Sequence, residues 1–445
     1  MTYDEALRYL AGIEGLGIKL ALENITQVLG ALGDPQRRCP SLLISGTNGK
    51  GSVAAMLASV LTRTGRRTGL YTSPHLIRYE ERIVVDGRPV TPEEFASAVG
   101  RVHDTIQDLL ARGVLAAHPT HFESVTAAAF LHLAEAKVEF AVLEVGMGGR
   151  LDATVLARPV LSIITNVSLD HTAFLGETID AIAGEKAGIL REGAILLTGE
   201  MQPDALGPIR KRAAEVDGRL IELPKWAEVV QGAAGRITVR TPRRDHENLE
   251  IGLGGSYQIA NAVLAVAACD VLEEIGFAVP EEAIRRGLKE AIWPGRFQIV
   301  EGAPRVILDG AHNPAGCRAL SEALAATPGV SPDQTTLVFG VLRDKDHAAM
   351  MAEIFPAATR IVLTRGAHQR FREPSILLDQ ARISRLVQQR SITLTETVDE
   401  ALREARRQTP SSGTICVAGS LYLVGEVMVA MGIEPYAGTS SSSLR

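Results

Sequence analysis

The stretch that most constrains this chain is Leu42-Leu43-Ile44-Ser45-Gly46-Thr47-Asn48-Gly49-Lys50-Gly51-Ser52, followed by a helical run from Val53 to Thr64. An apolar strand that feeds a glycine-rich turn and opens onto a helix is the geometry of a phosphate cradle. The unpaired N–H groups and positive dipole end of the helix favour an anion there. Lys50 is placed to reach the β/γ-phosphates, and the Ser52 hydroxyl to coordinate Mg²⁺. The generic P-loop spacing is not met, because Ile44 stands where Gly is needed and Gly51 where Ser or Thr should follow the lysine. A glycine-rich turn that only caps a core helix is the competing reading.

Around this loop, short apolar runs alternate with helical patterns. Strands are expected at Ser41–Ser45, Thr68–Tyr71, Phe140–Glu144, 160–165 and 194–198, with helices at 92–112 and 124–136 between them. The runs are continuously apolar rather than alternating, which predicts strands buried on both faces of a mostly parallel sheet. Pro294-Gly295 breaks the pattern, and a second series follows at 305–309, 335–340, 360–364, 391–395 and Thr414–Ala418. The expected architecture is α/β. An N-terminal P-loop-type domain over 1–295, with helices on both faces of its sheet, precedes a smaller Rossmann-like domain over 296–445. The tail 438–445, GTSSSSLR, reads as disordered.

Composition narrows the partners. With 46 Lys+Arg against 52 Asp+Glu the chain carries net charge -6, no general field for nucleic acid or anionic lipid. Its apolar stretches fall short of the ~20 residues a bilayer span needs, and the acidic start MTYDEALRYLAGIEG does not resemble a signal peptide. The four cysteines are widely spaced with no C-x-x-C pair, which fits a reducing cytoplasm and argues against a disulfide framework or zinc ribbon.

Further strand ends carry donors. Ser73 and His75 lie in a Ser-Pro-His turn after the second strand, which taken alone is more often just a turn. Glu144 closes FAVLE before a glycine-rich segment, a Walker-B-like position facing a metal, and Asp170-His171 follow the next strand. Since strand C-termini in a parallel sheet line the ligand crevice, these donors together favour a metal–phosphate site. In the second domain Asp309 and His312 end the strand RVILD, where Asp309 either contacts nucleotide or caps the next helix. Arg296 makes either a structural salt bridge or a phosphate contact. Lys186, one of only eight lysines, reads on its own as a solvated surface residue in a small-residue helix.

Taken together, GTNGKGS, YTSPHL with RYEERI, THFE, LEVGMGGRLDAT, DHT, GEKAGI, PGRFQ and DGAHNP resemble, in order, the motifs of the folylpolyglutamate synthase/dihydrofolate synthase family within the Mur-ligase superfamily. That family's loop has the extra glycine after the lysine. The resemblance implies ATP and Mg²⁺, two ions, as cofactors. Thr47, Asn48, Gly49, Lys50, Gly51 and Ser52 would hold the ATP phosphates, with Asn261, Arg296 and Asp309 as further ATP contacts and His312 in the same motif. Ser73, Glu144 and His171 match the metal-site residues. Thr120, His121, Phe122 and Glu123, with Leu151, Asp152 and Ala153, match the segments lining the pterin/folate site. Lys186 aligns with the lysine carbamylated in this family, which replaces the surface reading with an active-site one; Lys50, Lys186 and His312 are then the catalytic candidates.

The activity so implied is ATP-dependent addition of L-glutamate to dihydropteroate or to the terminal glutamate of folates through an acyl phosphate. Closure of the second domain over the first would exclude water from that intermediate. A cytoplasmic monomer with small-molecule partners only is expected. A murein-type ligase shares the GTNGK loop, but THFE, LDAT and the mere ~40 residues before the loop argue against it. A P-loop kinase or regulatory NTPase would account for 46–52 and Glu144 but not for DGAHNP or the second domain.

Overall fold

A computed structural model describes residues 1–436 except 18, 20, 233, 234 and 389, so the tail 438–445 lies outside the described residues. The chain divides into two compact units, Met1–Glu250 with Asn261–Ala291, and Ile251–Ala260 with Ile292–Arg445.

The first unit is built on eight strands. These are β1 (Ser41–Ser45), β2 (Thr68–Tyr71), β3 (Ile83–Val85), β4 (Arg88–Pro89), β5 (Phe140–Glu144), β6 (Leu161–Ile164), β7 (Ile195–Thr198) and β8 (Arg219–Glu222). They lie in the order β4-β3-β2-β5-β1-β6-β7-β8. β2 through β8 run parallel in that order, while β3 turns back on β2 with Tyr71 opposite Ile83. Every residue of β1, β2, β5 and β6 is buried, which is why these strands read as unbroken apolar runs. The flanking helices start on sequence signals: Thr91 and Glu94 close a capping box before Pro92–Ala111, and Thr120 and Glu123 close another before His121–Glu135. Helix Lys50–Arg63 begins three residues earlier than the apolar pattern suggests, because Lys50, Gly51 and Ser52 already form its first turn. The order β2-β5-β1-β6 brings the loops after those four strands side by side, about 4.8 Å apart per strand.

A second sheet of the first unit was not legible in the sequence. β9 (Glu228–Gln231), β10 (Ile237–Arg240) and β11 (Asp245–Leu249) form an antiparallel ribbon. β9 is exposed along its whole length and β11 reads DHENL, so neither shows an apolar run. A buried charge cluster ties the ribbon to helices Gln258–Glu274 and Glu281–Glu290. His246, fully buried, contacts Asp270 Oδ2 at 3.0 Å and Glu281 Oε2 at 2.7 Å, while Arg244 reaches Asp270, Glu273 and Glu281 at 3.3, 3.1 and 3.6 Å.

Burial alone would lower the His246 pKa, but its two carboxylate partners outweigh that and raise it to about 9. The stabilisation from its protonation is therefore complete below the unfolded value near 6.5 and is lost as pH rises through about 9. His246→Gln should cost about 3 kcal/mol at pH 7. It should also flatten the fall in melting temperature expected of the wild type between pH 6.5 and about 9. An unchanged alkaline profile in the variant would refute the pairing.

The second unit carries β12 (Gln298–Val300), β13 (Arg305–Leu308), β14 (Thr335–Phe339), β15 (Arg360–Leu363), β16 (Ser391–Leu394) and β17 (Thr414–Ala418), ordered β12-β13-β17-β14-β15-β16. Only β12 is antiparallel to its neighbour. Helices Pro314–Ala325, His347–Ile354 and Pro374–Ile383 pack over the core of Ile307, Phe339, Phe355 and Leu363. The segment Ile251–Ala260 joins this unit although Pro294-Gly295 lies far downstream. Gly254 and Gly255 lie against Phe297, and Tyr257 donates to Asp309. No local composition break marks such a non-contiguous piece.

Candidate active site

The phosphate loop follows β1. Gly49 has φ +84, and a Cβ there would also come within 2.5 Å of Asn261 Oδ1, so glycine serves both the turn and the approach of Asn261. Asn261 thus sits against the loop. The loop is braced from the segment after β6. Thr47 N donates to Asn166 O at 2.9 Å, Asn48 N to Asn166 Oδ1 at 3.0 Å, and Thr165 Oγ1 to Asn48 O at 2.6 Å. Ser168 N donates to Thr47 Oγ1 at 2.9 Å, and that hydroxyl donates to Ser168 O at 3.1 Å. Thr165, Asn166 and Ser168 escaped the sequence reading; the signal available was a run of polar side chains directly after a buried strand.

Two lysines converge on one carbonyl. Lys50 Nζ donates to Gly46 O at 3.1 Å and Thr47 O at 3.2 Å, and Lys186 Nζ donates to the same Gly46 O at 2.8 Å. Lys186 is 3% exposed, which corrects its reading as a solvated surface residue. Its helix, Ile179–Ala187, can come this close because Gly149 has no side chain. A Cβ there would meet the carbonyls of Glu185 and Lys186 at 2.8 Å. Burial, and then the charge of Lys50, lower the Lys186 pKa to about 7, with Asp170 acting in the opposite sense.

Beyond β5, the buried Glu144 accepts a hydrogen bond from Ser73 N at 3.1 Å, joining the ends of β2 and β5. His171 is exposed at the start of helix Thr172–Leu175, with φ +51, and donates its N–H to Asp170 Oδ1 at 2.9 Å. Hydroxyl, carboxylate and imidazole make a donor set suited to a hard divalent cation rather than a thiophilic one. Among the described residues no three His, Cys, Asp or Glu side chains cluster tightly enough to hold a metal by themselves.

The segments matched to the folate site have local work as well. Glu123 accepts from Thr120 N at 2.7 Å and Thr120 Oγ1 at 2.9 Å, so its buried carboxylate closes the helix cap. The Phe122 ring lies against Gly146, where a Cβ would meet it at 2.5 Å. His121 Nε2 is 2.9 Å from Tyr79 Oη. Asp152 is buried and accepts from Met147 N, Thr154 N and Thr154 Oγ1 at 3.1, 3.0 and 2.6 Å, fixing the glycine-rich loop between Leu151 and β5; burial pushes its pKa up. Ala153 is buried behind it and opens a short helical turn.

In the second unit Asp309 is buried and accepts from Tyr257 Oη at 2.5 Å, Phe297 N at 2.8 Å and Ala311 N at 2.8 Å. It does not cap the following helix, since Asn313 Oδ1 accepts from Gly316 N in that role. His312 Nδ1 lies 2.8 Å from Gly310 O, which fixes the Nδ1–H tautomer and makes Nε2 the acceptor nitrogen. Arg296 donates to Gly295 O at 3.1 Å and lies over the Trp293 ring, 6.0 Å from its centroid.

Comparison with known proteins gives two family matches, the Mur ligase middle domain over residues 44–269 and the Mur ligase, glutamate ligase domain over 295–421. The dihydrofolate synthase/folylpolyglutamate synthase of Bacillus subtilis is 33% identical over 96% of this chain and 98% of its own. The structure of Escherichia coli FolC in complex with DHPP and ADP is 30% identical, with TM-score 0.87, and covers 97% of this chain and 98% of that one. A bifunctional folylpolyglutamate synthase/dihydrofolate synthase of Yersinia pestis, complexed with AMPPNP and a Mn ion, is 31% identical, with TM-score 0.85 and coverage of 97% and 98%. No helix among the described residues is long and apolar enough to cross a membrane.

Proposed function

Because the chain belongs to the folylpolyglutamate synthase/dihydrofolate synthase family of Mur ligases, we propose that the residues gathered at the carboxyl edge of its first sheet carry out that family's chemistry. The chain is an ATP-dependent ligase that adds L-glutamate to dihydropteroate or to the terminal glutamate of folates, releasing ADP and phosphate. The observation that carries the site assignment is the convergence of Lys50 and Lys186 on the Gly46 carbonyl, one strand away from the Ser73–Glu144 pair.

A carboxylate resists amidation because its carbon is a poor electrophile and oxide a poor leaving group. Transfer of the γ-phosphoryl breaks the bond to the ADP oxygen and forms one to the acceptor carboxylate. The glutamate amine then attacks the acyl carbon, loses a proton and expels phosphate. Both steps bring anions together, so positioned positive charge is the main contribution of the site. Thr47 to Ser52 hold the phosphates, with Lys50 leaving its two carbonyl partners for the transferring phosphoryl oxygens. Ser73, Glu144 and His171 would hold a divalent cation, which supplies charge neutralisation at the phosphates when bound. In the second unit Asp309 shapes the loop that carries His312, and Arg296, Asp309 and His312 are that unit's candidates for nucleotide contact and catalysis. We place this activity in the cytoplasm and in a monomer.

The test is direct. Purified protein with ATP, Mg²⁺ and labelled glutamate should incorporate label into dihydropteroate, tetrahydrofolate or both, offered in separate tubes. Incorporation in neither would overturn the reading, and incorporation in one alone would define the specificity.

A further inference from the structure

We infer that Arg82 binds the carboxylate of the acceptor substrate, the group that receives the phosphoryl; this rests on the ligase reading above. Arg82 directly precedes β3, and its carbonyl accepts from Thr72 N at 3.0 Å, so it stands level with the end of β2, beside Ser73. The residue is 8% exposed. Its Nε donates to His75 Nδ1 at 2.9 Å, and its guanidinium carbon lies 5.3 Å from the centroid of the Tyr79 ring. Among the described residues no carboxylate pairs with it.

The acids nearby are committed elsewhere. Glu81 accepts from the N–H groups of Leu76, Ile77 and Arg78 at 2.8, 2.9 and 2.6 Å. Glu80 accepts from Tyr3 Oη at 2.9 Å, and Glu144 from Ser73 N. The N–H groups on the two terminal nitrogens of Arg82 are thus left over, and neither nitrogen is among the sealed, partnerless atoms of the interior. Burying a guanidinium without a counter-charge is costly. A substrate that brings the counter-charge removes that cost on binding.

Position selects a carboxylate rather than the nucleotide phosphates. The phosphate loop follows β1, and β2 lies two strands away with β5 between, about 10 Å off. The phosphate end already has Lys50 and Lys186. On its other side Arg82 adjoins the Thr120–Glu123 segment through Tyr79, whose hydroxyl meets His121. A planar fork of donors matches a carboxylate.

The experiment measures binding of the acceptor that the wild type uses, dihydropteroate or tetrahydrofolate, and of its carboxamide, in which the reacting carboxylate is an uncharged amide. Titration calorimetry with a non-hydrolysable ATP analogue present gives both affinities. Wild type should prefer the carboxylate by 10- to 100-fold, and Arg82→Gln should lose that preference while binding the ATP analogue within threefold of wild type. Arg82→Lys, which keeps the charge but not the fork, should fall between them. A wild type that incorporates no glutamate defeats the ligase reading itself. An active wild type whose Arg82→Gln and Arg82→Lys variants keep the full carboxylate preference overturns the Arg82 assignment, as does a loss confined to ATP-analogue binding.

Discussion

Lys50→Ala should lower glutamate ligation by at least a thousandfold while leaving the melting temperature within a few degrees. The two halves of that result have separate physical sources. In the structure the Lys50 ammonium bonds to two carbonyls of its own loop, Gly46 and Thr47. Losing those bonds costs on the order of 1–3 kcal/mol, with the loop still held by Thr165, Asn166 and Ser168. In the reaction the same ammonium faces the charge that grows on the transferring phosphoryl, in a site of low polarisability. Removing a preorganised donor of this kind costs about 3–4 kcal/mol of barrier, and a full charge costs more. The deficit should appear in kcat rather than in the KM for the acceptor, because the interaction strengthens only at the transition state. Near-normal turnover by a folded Lys50→Ala protein would refute the phosphate-loop assignment. The variant has a second readout. Lys50 is one cause of the depressed Lys186 pKa, so its removal should raise the Lys186 value from about 7.

What the sequence disclosed and what it hid follow one physical line. β1, β2, β5 and β17 coincide residue for residue with the apolar runs, because a strand buried on both faces needs nothing but local composition to be seen. The glycine-rich turn after β1 and the place of Glu144 at the end of β5 were legible for the same reason, since they sit where such runs end. Properties set by distant neighbours were not. Lys186 looks like a surface lysine until Gly149, some 37 residues away, lets its helix approach the Gly46 carbonyl. Glu123 and Asp152, matched to the folate site, also accept hydrogen bonds from their own segments, and Arg82 stood within RYEERI with no role attached to it. Of its apolar residues the ribbon β9 to β11 buries only Ile237, Val239 and Leu249, scattered among polar residues, and it is tied down by a charge cluster, so no apolar run marked it.

Lys186→Ala should be inactive, and short carboxylates such as formate or acetate should restore part of its activity. A carbamate forms when a neutral amine attacks CO₂; the new N–C bond releases a proton and converts a cation into an anion. An ordinary lysine is neutral in fewer than roughly one molecule in a thousand at pH 7, whereas a value of about 7 makes about half of Lys186 reactive. The burial that depresses the value therefore also prepares the modification. Two measurements follow from the sign. Wild type supplied with ¹³C-bicarbonate should show a carbamate carbon resonance that Lys186→Ala lacks. The unfolded chain holds this proton up to about 10.5 and the folded one only to about 7, so between those values stability rises with pH. Below about pH 7 the folded protein carries the full cost of a buried ammonium beside Lys50. Lys186→Met should consequently stabilise the fold more at pH 6 than at pH 9. A fully active Lys186→Ala enzyme would reduce the buried amine to a packing group, and equal effects of Lys186→Met at the two pH values would show that the buried cation costs the fold nothing.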